Sequence, residues 1–259
     1  MNQPEQQQIE HWFTVSNKWI PHWRQEIAAG EADQDTYTSL ALDYASFART
    51  KFLNGDDINE VRVEFTHAAR CILKSFTMAY DGADPDYQGE KADLSCNSET
   101  TAIRGINYAL MAVDFSLARE LAQIYQTRPD GYMLGTNINR YVHVLKQWLL
   151  GEPEKALSLI QEQFEEYKRI PPKSAGDKNY YTLFTTLFGI VSEDNGVFND
   201  GLQQQLMLYQ NYARGEAKNT DEEFICDYAV ALANLGIHHG LTVTITHDTL
   251  PPGLLLTAD

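Results

Sequence analysis

The chain has 259 residues, of which 43% are hydrophobic and 11% aromatic, a composition typical of a folded globular protein rather than a disordered one. Its 36 acidic residues outnumber its 20 lysines and arginines, which gives a formal net charge of −16. Because this charge repels phosphate backbones, direct binding to nucleic acid is not expected, and a basic protein is the favoured partner. Most of the carboxylates are expected to serve solubility.

Cysteine usage and the N-terminal sequence bear on the cellular compartment. Cys71, Cys96 and Cys226 are odd in number and lack a metal-binding spacing, so a disulfide framework is not expected. The first residues show no basic segment followed by an apolar one, and no apolar run reaches the about 18 residues of a membrane helix. These features predict a cytoplasmic protein without membrane contact.

The N-terminal segment combines helical spacing with an interrupting proline. Trp12, Trp19 and Trp23 recur with other apolar residues at the spacing of one helix face. Pro21 predicts a kink or a break between two short helices, because proline removes an amide donor and crowds the preceding turn. We interpret the three tryptophans as part of a core stripe, with a binding cluster as the alternative.

Amphipathic periodicity predicts helices along most of the remaining chain, which makes the expected fold all-α. Capping residues, glycines and prolines mark their ends. The predicted helices cover residues 35–54, 57–80, up to 113, from 115, up to 150, from 154, 179–192, 199–212 and 221–235.

Two segments show the same layout of a helix end, a tight acidic turn and a small alanine on the returning helix. They are LMAVDFSLARELA and LLGEPEKALSLIQ, and residues 52–61 form a weaker third copy. This layout is typical of helical hairpins. Because the copies are unevenly spaced, we expect an irregular, TPR-like stack of antiparallel hairpins rather than an array of roughly 34-residue repeats.

Residues 81–100 break the helical pattern with two glycines, one proline and six acids against a single lysine. A stretch of this kind is either functional or a solvated linker. We expect a single domain over residues 1–259, with the possibility of two packed halves, 1–80 and 101–259, joined by this acidic loop.

The C-terminal tail has a different pattern. Leu241, Val243 and Ile245 alternate with threonines, which predicts a short β-strand or an extended tail. An isolated strand cannot satisfy its own backbone groups, so the segment must pair within the chain, lie against the body or meet a partner chain.

The sequence carries none of the common phosphate-binding, metal-hydrolase or nucleophile-elbow motifs, so we expect neither an enzyme nor a cofactor. His238, His239 and His247 form the one grouping that could bind a metal. Neighbouring residues such as His238 and His239 point in different directions, so they rarely bind one ion. A simpler explanation for the pair is a positive charge at the C-terminus of a helix, where it interacts favourably with the helix dipole. No metal site is therefore expected. The carboxylate pairs lie at predicted helix ends and turns, where nothing indicates a shielded acid–base pair.

Three segments of the C-terminal half resemble a known family: WLLGEPEKALSLIQEQF, DYAVALANLGIHHGL and TVTITHDTLPPGLL. Together they are similar to the bacterial immunity proteins of polymorphic toxin systems that are grouped as Immunity protein 49. Members of that family share a helix ending in an acidic glycine turn, a last helix rich in Ala and Leu, and a final P-x-x-L-L. The matching positions are 148–152, 229–240, 241–245 and 250–255.

The resemblance implies a cytoplasmic protein that binds the toxin domain of a cognate secreted effector and blocks its active site or substrate groove. The resemblance also implies a nuclease as the toxin class, and the net charge of −16 is compatible with this, since it would attract the basic substrate surface of a nuclease. The expected partner-binding residues are acids of the loop and of helix ends: Asp81, Asp84, Asp86, Glu90, Asp93, Glu193, Asp194, Asp221, Glu222 and Glu223.

Two other hypotheses remain open. A TPR-like adaptor would hold a peptide in a groove lined by Asn137, Asn139, Arg140 and Tyr141. A helical enzyme of unrecognised type would be centred on the three C-terminal histidines.

Overall fold

The structure is a computed structural model, and it describes residues 4–93, 95–127 and 135–257. The all-helical prediction is confirmed, since these residues form ten α-helices and three short 3-10 turns. The helices are α1 Gln6–Ala29, α2 Gln34–Asn54, α3 Ile58–Tyr80, α4 Glu99–Met111, α5 Phe115–Ile124, α6 Asn137–Leu149, α7 Pro153–Arg169, α8 Ala175–Val191, α9 Asn195–Arg214 and α10 Asp227–His238. The turns are Gly89–Lys91, Asp221–Glu223 and Pro252–Leu254.

Helix α1 runs without a break through Pro21, so the predicted break into two short helices is wrong. Its N-terminus is held by a capping box in which the Glu5 backbone N–H donates to the Gln8 side chain at 2.8 Å. One face of α1 buries Ile9, Trp12 and Ile20. Burial of such side chains contributes roughly 1.5–3 kcal/mol each, which together exceeds the about 3 kcal/mol that an interior proline costs.

The three N-terminal tryptophans have different environments. Trp12 is buried in the core, whereas Trp19 is 36% exposed and stacks on Trp23 with ring centroids 5.8 Å apart. The Trp23 indole N–H donates to Asp43 at 2.7 Å. The core-stripe interpretation therefore holds for Trp12, while Trp19 lies at the surface.

Local capping explains where the middle helices begin. Asp114 caps α5 as predicted, since its side chain accepts from the Leu117 backbone N–H at 2.9 Å. Ser174 and Asp194 cap α8 and α9 in the same way, so both helices begin before the predicted starts at 179 and 199.

The last helix begins later than predicted. Asp221–Glu223 is a separate 3-10 turn, and α10 starts only at Asp227. The Asp221 side chain points inward to Arg49, and Phe224 is buried just after the turn. Because these residues are held in the interior, the segment does not continue as a helix, and α10 starts only after it.

Buried apolar residues from all ten described helices form one continuous cluster. Helices α8 and α9 approach each other closely because glycines replace side chains at their contact. A Cβ on Gly189 would lie 2.3 Å from the Phe198 backbone nitrogen, and one on Gly201 would lie 2.5 Å from that of Thr186. Consecutive helices therefore pack backbone against backbone at this point.

Residues 241–246 are extended but form no β-strand within the described part of the chain. The Thr242 and Thr244 backbone N–H groups donate to the side-chain oxygens of Asn195 and Asn199, each at 2.8 Å. The Asn199 amide donates in turn to the Thr242 carbonyl at 2.9 Å. Asparagines of α9 thus take the place of a pairing strand.

None of the described helices is both long and apolar enough to span a membrane.

Candidate functional site

A cleft of about 670 Å³ lies between α4, α8, α9 and the start of α10, and we call it the tyrosine cleft. Its volume is within the range of roughly 300–1,000 Å³ that is usual for binding pockets. Its polar, charged and aromatic lining residues are Thr100, Arg104, Asn107, Tyr108, Asn179, Gln205, Tyr209, Asn211, Tyr212, Glu216, Glu222, Asp227 and Tyr228.

Tyrosines of α9 hold one wall of the cleft in place. The Tyr209 hydroxyl lies 2.5 Å from the Glu222 carbonyl oxygen and 2.9 Å from that of Ile225. The Tyr212 hydroxyl donates to the Glu222 carboxylate at 2.7 Å. These bonds fasten the segment before α10 to α9.

Arg49 of α2 pairs with acids that line the cleft or lie next to those that do. Its side chain is 4% exposed, and it donates to Asp221 at 2.6 Å and to Asp227 at 2.8 Å. Glu222 lies 3.6 Å from the same guanidinium. Because a buried cation requires compensating charge, Arg49 and these carboxylates stabilise one another and fix the 3-10 turn relative to α10.

Two buried oxygen atoms at the cleft have no hydrogen-bond partner among the described residues: Asp227 Oδ1 and Asn107 Oδ1. The Asn107 residue is only 3% exposed. Burial raises the pKa of Asp227 to about 6, Arg49 opposes this rise, and the charges of Glu222 and Asp221 add to it. Asp227 is therefore mostly ionised at neutral pH and retains an unused acceptor.

Burial also affects the tyrosine hydroxyls. It raises the pKa of Tyr108 and of Tyr228 to about 12. Both hydroxyls therefore remain protonated across the physiological range, and the only charges that line the cleft come from its carboxylates and from Arg104.

The acidic loop uses some of its predicted binding residues internally. Asp84 accepts from Lys74 and from the Thr77 hydroxyl, both at 2.5 Å, and Asp86 lies 2.8 Å from the same lysine. Although burial alone would raise it, these hydrogen bonds lower the pKa of Asp84. Asp86 is the more accessible of the two, with a side chain 57% exposed.

The other loop acids shape turns. Asp81 and Asp93 each accept from the backbone N–H two residues further along, at 2.9 and 2.8 Å. Glu90 lies in the 3-10 turn Gly89–Lys91, and its side chain is outside the described part of the structure. The loop is therefore ordered by its own carboxylates where it is described.

The predicted acids of the C-terminal half separate into different environments. Asp194 caps α9 and Glu193 precedes it in a left-handed conformation with φ of 55°, both exposed. Glu223 accepts from a loop amide at 2.7 Å. Asp221 is buried against Arg49, so it adds nothing to an accessible acidic surface, and Glu222 is the one predicted acid that lines the tyrosine cleft.

These acids do not form one patch. Asp194 lies at the N-terminus of α9, and Glu222 contacts Tyr212 near its C-terminus. At about 1.5 Å per residue, the two positions on α9 are about 27 Å apart.

Residues predicted for the adaptor groove are largely engaged. Tyr141 is fully buried in the core. Asn137 and Asn139 donate to carboxylates at 2.9 and 3.1 Å, and Arg140 forms an ion pair with Glu166. Asn139 and Arg140 also line a smaller groove of about 400 Å³ between α6 and α7.

The three histidines do not converge. His238 stacks on Phe115 with ring centroids 3.7 Å apart, and His239 lies 4.8 Å from Trp148. His247 instead contacts a glutamine of α9 at 2.7 Å. Among the described residues, no group of three His, Cys, Asp or Glu side chains is placed to hold a metal ion.

Most residues of the tyrosine cleft are not among those predicted from the sequence. Arg49 offered a signal, because it follows Ala41 and Ala45 on the buried face of α2. Asn107 offered another, as a polar residue in the otherwise apolar run of α4. Tyr209 and Tyr212 gave no signal beyond their spacing on one helix face.

Comparison of the chain with protein-family models, with curated proteins and with solved structures finds no significant match. The similarity to Immunity protein 49 therefore stays a prediction, as do a toxin partner and a cytoplasmic location.

Proposed function

We propose that the chain is a cytoplasmic immunity protein that binds and neutralises a cognate secreted antibacterial toxin, with a nuclease as the expected class. It acts by covering the toxin's active site or substrate groove and not by catalysis. The observation that carries this proposal is the tyrosine cleft, which offers carboxylates and tyrosine rings to a partner.

The chemistry of the cleft favours a protein partner. Tyrosines are enriched where protein interfaces form, because they combine a large apolar ring with a polar tip. Tyr212 is 38% exposed and Glu222 has a side chain 40% exposed, so both are accessible to a partner. Carboxylates at such a position attract a basic surface.

Long-range attraction supports the same partner class. A net charge of −16 accelerates encounter with a basic protein and does so less as salt concentration rises. Exposed acids outside the cleft, including Asp86 and Glu193, contribute to this steering without requiring direct contact. The adaptor alternative is less favoured, since Tyr141 is buried and Arg140 is already paired.

A co-expression experiment tests the proposal. The toxin domain that the proposal expects a neighbouring gene to encode is produced in a sensitive bacterium with and without the chain. We expect growth to be restored and the two purified proteins to form a stoichiometric complex. A chain that gives no protection and no complex at micromolar concentration would rule the proposal out.

A further inference from the structure

We propose that the tyrosine cleft receives an arginine side chain of the partner protein. This inference rests on the proposed function, because it names the chemical group through which the partner engages the chain.

The unused hydrogen-bonding capacity of the cleft is that of acceptors. Asp227 Oδ1 and Asn107 Oδ1 are both buried without a partner among the described residues. Both oxygens have almost no solvent-accessible area, so a ligand reaches them only when side chains of the cleft lining move. A ligand that then donates to them gains affinity, because a buried acceptor that stays unpaired costs free energy. Ionised carboxylates and phosphodiesters only accept hydrogen bonds, and therefore they do not fit these two atoms.

The charge and shape of the lining select a guanidinium among the donors. The cleft is lined by three acids, Glu216, Glu222 and Asp227, and by a single basic residue, Arg104. A guanidinium brings five N–H donors in a plane that stacks on tyrosine rings, whereas an ammonium brings three donors and no plane.

Two of these carboxylates, Glu222 and Asp227, already face the guanidinium of Arg49. Arg49 occupies Asp227 Oδ2 at 2.8 Å, which leaves Oδ1 for a second donor. Asp227 can thus bridge an internal arginine and an incoming one. Since the cleft measures about 670 Å³, it also has room for the residues that flank a single side chain.

Short peptides test the inference on the full chain. The probes are acetyl-Gly-Arg-Gly-amide, its lysine counterpart, and its citrulline counterpart, which has nearly the same shape without the charge. Binding is followed by NMR of the isotopically labelled chain. We expect the arginine peptide to shift the amide signals of the cleft residues and to bind about tenfold more tightly than the citrulline peptide.

Two isosteric variants localise the effect. E222Q should weaken binding of the arginine peptide about threefold to fivefold, because it removes a partly exposed charge from the cleft. E223Q changes the neighbouring acid, which does not line the cleft, and should alter affinity less than about twofold. D227N should weaken binding of the arginine peptide more than either variant. If D227N does not fold, E216Q serves as the second test of an acid that lines the cleft.

The possible failures can be told apart. Equal affinity for the arginine and citrulline peptides, tighter binding of lysine, or equal effects of E222Q and E223Q would overturn the arginine assignment. If that happens while the toxin domain still forms a complex with the chain, the proposed function stands without it. Arginine-specific binding at the cleft with no toxin complex would support the assignment and contradict the proposed function.

Discussion

Replacing Arg49 with methionine tests whether the base of the tyrosine cleft depends on one buried cation. The side chains of Arg49, Asp221 and Asp227 are 4%, 10% and 20% exposed. Loss of the guanidinium leaves two poorly solvated carboxylates without their partner. Breaking a buried ion pair from one side costs about 3–5 kcal/mol, and we expect R49M to lower the free energy of unfolding by that amount at pH 7.5.

The size of this loss should depend on pH. Burial already holds the pKa of Asp227 at about 6, above the ordinary value of 3.8, and Arg49 opposes that shift. A carboxyl whose pKa is raised by folding favours the folded state most when it is protonated, and it loses this contribution as the pH rises through the folded pKa. Without Arg49 the pKa rises further, so the R49M defect should be smaller at pH 5 than at pH 7.5.

Urea unfolding of the wild type and of R49M at both pH values provides the measurement. R169M is the matched control, because Arg169 is exposed at the end of α7, and its unfolding free energy should change by less than about 0.5 kcal/mol. A loss below about 1 kcal/mol for R49M, or a loss that does not change with pH, would show that the acids at the cleft do not depend on Arg49.

Four other substitutions, G201A, N199A, N195A and K74M, test the surrounding framework. G201A should lower the free energy of unfolding by about 1–3 kcal/mol, because its Cβ would lie 2.5 Å from a backbone nitrogen of α8. G176A is the control, since its Cβ would meet nothing closer than 3.9 Å, and it should be neutral or stabilising. Thermal unfolding of both variants provides the measurement. N199A should accelerate hydrogen exchange at the Thr244 amide, while N195A should do so at Thr242; unchanged exchange in both would mean that the asparagines do not hold the tail. K74M should destabilise the chain by about 1 kcal/mol at neutral pH. Since the pKa of Asp84 is lowered in the folded state, this difference should be present above pH 3.8 and vanish as the pH falls below it, and a difference that persists in acid would exclude the pair as its source.

Local sequence determined much of the helical framework. Gly55 and Asp114 mark helix ends through their own backbone and side-chain preferences, and both positions could be predicted. Pro21 misled for the opposite reason, because burial of one face of α1 outweighs the local cost of a proline. The Asn195 and Asn199 bonds to the tail join residues more than forty positions apart, so periodicity in the tail alone could not distinguish a strand from an extended segment.

The candidate site was less predictable than the fold. The acidity of residues 81–100 predicted a partner-binding loop. Two of its acids, Asp84 and Asp86, instead pair with Lys74, and the composition of the loop does not reveal these contacts. The cleft depends on Arg49 meeting Asp227, whose sequence separation is 178 residues. Such pairings follow from how the helices pack, and they cannot be inferred from the composition or periodicity of a single sequence.

The affinity of the chain for the toxin domain that the proposal expects a neighbouring gene to encode tests the central claim most directly. It should be measured by association and dissociation kinetics for the wild type, for E222K and for E165K, which reverses an acid of α7 with a side chain 70% exposed. We predict tight binding whose association slows with added salt, weakened by about tenfold or more in E222K and within about twofold of wild type in E165K. Absence of binding, or equal loss in both variants, would contradict an immunity function exercised through the tyrosine cleft.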